Sequence, residues 1–163
     1  MVFTMKKEEK TSVMRVLDAK KISYESHNYV DSGAISGTEV AKALGQNPDA
    51  VFKTLVTVSK SKKYYVFLVP VEKELDLKKA AACAGEKKIE MLKAKELLGL
   101  TGYIPGGCSP IGMKKIFPTF IDKSAAEQET ICFSGGKIGF QVQLSLEDLK
   151  KVIRFELADI VEE

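Results

Sequence analysis

Two stretches rich in β-branched and aromatic residues, 51–58 and 64–71, stand on either side of the polar connector Ser59-Lys60-Ser61-Lys62-Lys63. Such residues suit a pleated surface with at least one buried face, and a five-residue connector lets consecutive strands turn back on one another. The pattern predicts an antiparallel hairpin, and any fold open to the chain has to be built around it.

Helices and further strands are predicted on both sides. From Thr11, the positions Val13, Val16 and Leu17 mark one apolar helical face, and 22–29 alternates as a strand does. Ser36-Gly37-Thr38-Glu39 has the form of a capping box, so a helix is expected over 37–44 with Gly45 as its stop. A helix is expected over 75–84, a strand over 88–91, and a short helix over 93–98 closed by Gly99. Strands follow at 119–121, 130–133 and 138–144, then a helix capped by Ser145 with Asp148 at its fourth position. Several strands adjacent in sequence, mixed with helices, favour an α+β fold around a mixed sheet over a doubly wound one.

The 163 residues carry no repeat of solenoid length and no Pro- or Ser-rich divider, so one domain over 1–163 is expected, with 1–10 as a flexible N-terminal stretch. An apolar content of 45% with 29% charged residues excludes a disulfide scaffold, collagen and wholesale disorder. Twenty-five Lys and Arg against 22 Asp and Glu give +3, which permits a polyanionic partner and rules out a polybasic binder. Cys83, Cys108 and Cys132 lie too far apart for zinc or thioredoxin-like spacing and read as free thiols in a reducing compartment. With His27 as the single histidine, no metal site is expected, and a triad could use only this imidazole. The charged N-terminus and the lack of any 18-residue apolar run lead to the expectation of a cytoplasmic protein without a membrane partner.

Several features could carry chemistry. With a side-chain period of two, Lys53 shares a face with Val51 and Leu55, where an apolar residue is expected. Either its stem lies on apolar surface at the strand's rim with the ammonium in water, or the ammonium is aimed into a pocket to hold an anion or polarise a carbonyl. Thr54 takes the opposite face. The segment Gly102-Tyr103-Ile104-Pro105-Gly106-Gly107-Cys108-Ser109-Pro110-Ile111-Gly112 gathers four of the 12 glycines and two of the five prolines. Its amides could form an anion-binding nest or an oxyanion hole, or the loop could be a plain connection; Met113 excludes a Walker loop. Ser134-Gly135-Gly136-Lys137-Ile138-Gly139 reads first as a hairpin turn and gains weight only beside the first loop. Cys108, flanked by glycine amides, admits a cysteine hydrolase with His27 as base. The lysine pairs are spread along the chain, Lys114-Lys115 being the one adjacent to the glycine-rich loop.

Taken together, Val51-Phe52-Lys53-Thr54-Leu55, Pro70-Val71 with Leu75-Asp76-Leu77-Lys78-Lys79-Ala80, Gly102-Tyr103 with Gly106-Gly107 through Ser109-Pro110-Ile111-Gly112, and Ser134-Gly135-Gly136-Lys137 form a recognisable combination. The chain resembles the YbaK family of aminoacyl-tRNA deacylases, in register from about Lys10 to Asp159-Ile160-Val161. The resemblance implies a mixed, strongly curved, barrel-like sheet surrounded by helices, as in the editing domain of prolyl-tRNA synthetases. It implies trans-editing hydrolysis of mischarged aminoacyl-tRNA, foremost Cys-tRNA(Pro), with the acceptor end as partner, prolyl-tRNA synthetase as a further one, and no cofactor. Lys53 matches the family's functionally required lysine, Thr54 its neighbour, and Tyr29 a pocket-lining tyrosine. Gly106 and Gly107 match the substrate-binding amides, Ser109 belongs to the same loop motif, and Ser134 matches a serine of the second glycine loop. Gln141 stands where close members carry an acidic residue, and Ser36 where some carry an aromatic; both bear on amino-acid selectivity. The attacking group in the family is the substrate's own cysteine thiol or a water organised by the terminal ribose hydroxyl. Two alternatives are a binding module that holds aminoacyl-tRNA or a nucleotide without turnover, and a hydrolase dependent on Cys108.

Overall fold

The computed structural model describes residues 9–163. Helix α1 (Ser12–Ala19) starts at Thr11, whose Oγ1 accepts the N–H of Met14 and so satisfies one donor the helix leaves free. Strand β1 (Glu25–Asn28) is shorter than the 22–29 alternation predicts, because Ile22 turns inward against the core instead of joining a ladder. Helix α2 (Gly37–Ala43) has both capping-box hydrogen bonds. The hairpin follows as β2 (Phe52–Ser59) and β3 (Tyr64–Pro70), paired antiparallel with Lys53 opposite Val69.

Helix α3 (Leu77–Ala84) begins two residues later than predicted because Asp76 caps it, its carboxylate accepting the N–H groups of Lys78 and Lys79. Strand β4 (Ile89–Met91) precedes α4 (Ala94–Thr101), which runs through Gly99 and stops at the left-handed Gly102 (φ 87°). Strands β5 (Thr119–Asp122), β6 (Ile131–Ser134) and β7 (Phe140–Leu144) come next; β7 starts later than predicted because 138–139 complete the turn that enters it. Ser145 caps α5 (Leu146–Leu149), and a strand the sequence did not announce, β8 (Glu156–Ala158), ends the series. The N-terminal stretch expected as flexible lies, apart from Glu9 and Lys10, outside the described residues.

The strands divide between two open sheets, in the orders β4-β2-β3-β5-β8 and β1-β7-β6. The larger is mixed: β4, β2 and β3 pair antiparallel, whereas β3 with β5 and β5 with β8 are parallel. A single barrel-like sheet is therefore not what forms. The sheets meet through one bridge, Val51 to Cys132, and otherwise face each other across packed side chains.

Strand β3 is apolar along its length because both of its faces are covered. Val66 and Leu68 pack with Val13, Leu17, Phe133 and Val142, between the two sheets and under α1. Tyr65, Phe67 and Val69 pack on the other side with Ala80 and Ala81 of α3, where Phe67 stacks on Phe120 with ring centroids 5.4 Å apart. Among the described residues no helix is long and apolar enough to cross a membrane.

Candidate active site

At the start of β2 the two sheets part, and the first turn of α2 and the loop over 102–112 close round a cleft of about 450 Å³. Val51, Lys53 and Leu55, the face on which the lysine looked anomalous, all border it. Phe52 borders it too, from the opposite face, so the cleft takes in the whole start of β2 and the charge lies on its lining. The Lys53 side chain is 26% exposed, and its Nζ donates to Glu74 Oε1 at 3.3 Å. Thr54 borders the same cleft although it points the other way from the strand, and its buried Oγ1 has no hydrogen-bond partner among the described residues. A hydroxyl in that state beside a cleft is a group that a ligand or a water can satisfy.

Tyr29, Ser36, Gly106, Ser134 and Gln141 also line the cleft. Tyr29 packs with Ala34 and Val40 and is held by its N–H, which donates to Gly139 O at 2.8 Å. Ser36 Oγ is committed to the helix cap, accepting the N–H of Glu39 at 3.3 Å. In return the N–H of Ser36 donates to Glu39 Oε1 at 3.1 Å and holds that carboxyl below the ordinary glutamate range. Glu39 borders the cleft. The sequence marked it only as a capping residue, and nothing in its spacing announced a second role. Ser134 Oγ accepts the N–H of Gly136 at 3.1 Å, and Gln141 is a buried neighbour of Ser134 across the β6–β7 ladder.

The glycine-rich loop departs in part from expectation. Gly106 borders the cleft in a left-handed conformation (φ 85°), but the Gly107 N–H donates to Ile104 O at 2.9 Å and closes a turn. The Gly107 amide is thus occupied within the chain, and the residue lies outside the cleft lining. Ser109 is also outside it, fully buried, with Oγ accepting the N–H of Ile111 at 3.3 Å. Both residues shape the loop. A Cβ on Gly107 would stand 3.2 Å from Ile138 N and 3.4 Å from Lys137 Cα, so the fold does bring the second glycine loop against the first. Lys114 stays with the loop's start: its N–H donates to Thr101 O at 3.0 Å and its stem covers Gly102.

The Cys108 hydrolase finds no support in this geometry. Cys108 borders the cleft, but burial pushes its thiol up to about 12, so at neutral pH it holds its proton. His27 is elsewhere, on β1, with Nε2 at 2.8 Å from Gln143 Oε1.

Comparison with known proteins bears on the family and the fold. A family model described as an aminoacyl-tRNA editing domain matches residues 33–152. Over 156 residues the chain is 42% identical to "Putative Cys-tRNA(Pro)/Cys-tRNA(Cys) deacylase EbsC" of Enterococcus faecalis, covering 95% of each chain. Over 102 residues it is 30% identical to a proline–tRNA ligase of Shouchella clausii, a match to 63% of this chain and 18% of that one. A crystal structure named as a "putative trans-editing enzyme for prolyl tRNA synthetase" superposes with a TM-score of 0.80 at 22% identity, covering 95% of this chain and 100% of that one. A crystal structure of a hypothetical protein superposes with a TM-score of 0.83 at 21% identity, covering 93% and 100%. At these identities the two structures speak for the fold alone. The family model's span and the relative matched along nearly its whole length lead to one conclusion: the chain belongs to the aminoacyl-tRNA editing domain family.

Proposed function

We propose that the protein is a trans-editing hydrolase that removes the wrong amino acid from an aminoacyl-tRNA, with cysteine on proline tRNA as the first substrate to test. The observation that carries this reading is the gathering of Lys53, Thr54, Gly106, Ser134 and Gln141, from separate segments of the chain, on one cleft of about 450 Å³. The likeness to the enterococcal protein supports the same chemistry.

An aminoacyl ester is already activated, so its hydrolysis needs placement, a nucleophile and stabilisation of the developing oxyanion. The acceptor end of a charged tRNA brings charges of both signs, a phosphodiester and an α-ammonium. Lys53 and Glu39 are the one lysine and the one carboxylate on the cleft lining, and their signs match. Lys53 takes the phosphate or the transition-state charge, and Glu39 takes the α-ammonium. With the Gly107 amide occupied within the chain, the Gly106 amide holds the ester carbonyl. The substrate's thiol, or a water organised by the terminal ribose hydroxyl, bonds to the carbonyl carbon as the ester C–O bond breaks. The ribose oxygen then leaves with the proton, and on the thiol route water afterwards cleaves the C–S bond of the resulting thiolactone to give free cysteine. This chemistry needs no cofactor. A net charge of +3 gives weak intrinsic attraction to tRNA, so prolyl-tRNA synthetase is the partner proposed to supply tRNA identity, in the cytoplasm where tRNA is charged.

The test is release of labelled amino acid from cysteinyl-, alanyl- and prolyl-tRNA(Pro) by the parent protein and Lys53→Ala side by side. Rapid loss from one mischarged species, abolished in Lys53→Ala, is the expected result. Tight binding without release from any of them would replace the hydrolase with a binding module.

A further inference from the structure

Gln141 reaches the cleft from the middle strand of the smaller sheet, its Cα paired with His27 on one side and Ser134 on the other. The residue is only 3% exposed, and it is not alone. Gln141 Nε2 donates to Gln46 Oε1 at 3.0 Å, and Gln46 Nε2 donates back to Gln141 Oε1 at 2.7 Å. Gln46 follows the end of α2, where its N–H donates to Ala41 O at 2.9 Å, and it stands behind Gln141, outside the cleft lining.

A primary amide carries two N–H donors and an oxygen with two lone pairs. The reciprocal pair uses one donor and one lone pair of each side chain, and Gln46 Nε2 also lies 3.7 Å from Cys132 Sγ. Gln141 borders the cleft with one N–H and one lone pair that have no partner among the described residues. Exchanging nitrogen and oxygen in either amide alone would set like groups against each other, so Gln46 ties the way round that Gln141 faces to its own orientation, in which Nε2 is turned to Cys132 Sγ. The pair is neutral at every pH at which the protein is folded.

Resting on the editing reading above, we infer that the Gln46–Gln141 pair is the specificity element of the cleft. Gln46 is a positioning residue. It holds the Gln141 amide so that an aminoacyl side chain with a small neutral donor–acceptor group, a thiol or a hydroxyl, is preferred over a methyl group. An alanyl side chain leaves the remaining N–H of Gln141 facing a methyl, and a buried donor without a partner weakens binding. A site built to hydrogen-bond its substrate rejects the analogue that lacks the group far more strongly than an apolar pocket sorts by size.

The experiment compares kcat/KM for cysteinyl-, seryl- and alanyl-tRNA(Pro) in the parent, Gln46→Leu and the double variant Gln46→Leu/Gln141→Leu. The preference for cysteinyl or seryl over alanyl substrate is expected to fall by about tenfold in Gln46→Leu. The double variant replaces the pair by apolar groups of similar size, folds even where the single variant fails, and takes the alanyl substrate at least as well as the others. Equal losses on all three substrates, with the ratios unchanged, would mean a merely structural role and overturn the inference. The same proteins are titrated by calorimetry with amide-linked seryl- and alanyl-adenosine, which cannot be hydrolysed. A parent that deacylates nothing, yet binds the seryl compound more tightly and loses that preference in Gln46→Leu, retires the editing reading and keeps the role of the pair. Equal affinity of the parent for both compounds, or none for either, overturns it whatever hydrolysis shows.

Discussion

Lys53 Nζ lies 3.3 Å from Glu74 Oε1 in an ion pair whose lysine side chain is 26% exposed and whose glutamate side chain is 72% exposed. A carboxylate so open to water holds its partner loosely, and pairs of this kind contribute about 0–1 kcal/mol to stability. Glu74 therefore parks the ammonium at the edge of the cleft in a state that a substrate anion can displace. Glu74→Gln is expected to leave the thermal midpoint nearly unchanged and kcat/KM within about threefold, whereas Lys53→Ala lowers kcat/KM by about a hundredfold or more. Amino-acid release and a melting curve on the two variants check this. Equal damage from both would make the pair, rather than the ammonium, the working unit.

The cysteines make a prediction with a definite sign in pH. Burial pushes the thiols of Cys108 and Cys132 up from 9.0 to about 12, helped at Cys132 by the nearby Glu25 carboxylate. Between those values the unfolded chain gives up protons that the folded chain retains, so stability falls as pH rises. The contribution is complete below about pH 9 and is lost as pH climbs towards about 12. Denaturant unfolding of Cys108→Ala across that window is expected to show a shallower fall than the parent, whatever its stability at neutral pH. Its deacylation rate at neutral pH is expected within about twofold of the parent's, because a protonated thiol is a poor nucleophile. A shared alkaline slope, or a dead Cys108→Ala protein that folds, refutes the corresponding half of the argument.

Local features of this fold were written plainly in the chain. The hairpin and the capping box at Ser36 each rest on residues a few positions apart, and both formed where the sequence put them, β2 and β3 within a residue of the expected bounds. The ends of α3 and α4 were misread for local reasons: Asp76 is a stronger N-terminal signal than the apolar Leu75, and Gly99 sits inside a helix that packing carries on to Gly102. The division into two sheets was out of reach, because the parallel pairing of β3 with β5 and of β5 with β8 depends on contacts across long stretches of chain. So was β8, three residues whose ladder is formed with a strand more than thirty positions earlier. At the cleft, Lys53 was visible as a charge on an apolar face, while Gln46 carried no signal at all. Its meaning comes from Gln141, 95 positions away.

Glu39 separates a structural role from a recognition role. A glutamine at this position still accepts the Ser36 N–H, so the capping box survives Glu39→Gln. Only the charge is removed. If Glu39 meets the α-ammonium, KM rises by about fivefold or more with kcat little changed and the melting temperature held. In the parent, the Ser36 N–H keeps the carboxyl ionised to a lower pH than usual, so KM stays flat through neutral pH and rises only in acid as the charge is lost. Steady-state kinetics on an aminoacyl-tRNA and on an N-acetylated aminoacyl-tRNA decide the matter. Equal discrimination between the two by the parent and by Glu39→Gln rules out the contact.

Gly107 tests whether the two glycine loops act as one support. Its N–H closes a turn on Ile104 and it stays outside the cleft lining, yet a Cβ there would meet backbone atoms of Lys137 and Ile138 at 3.2–3.5 Å. Backbone cannot swing aside as a flexible side chain does, so Gly107→Ala has to push the loops apart by a few tenths of an ångström. Gly106, one position earlier, moves with it, and the amide proposed to hold the ester carbonyl shifts relative to Lys53. Misplacement of that order is enough to slow a preorganised site. Gly107→Ala is therefore expected to lower kcat by about tenfold, with KM little changed and stability reduced by about 1–2 kcal/mol. Gly99→Ala, inside α4 with nothing within 4 Å of the new methyl, serves as the control and leaves kcat unchanged. A Gly107→Ala protein as active as that control would show that the second loop is only a hairpin turn lying beside the first.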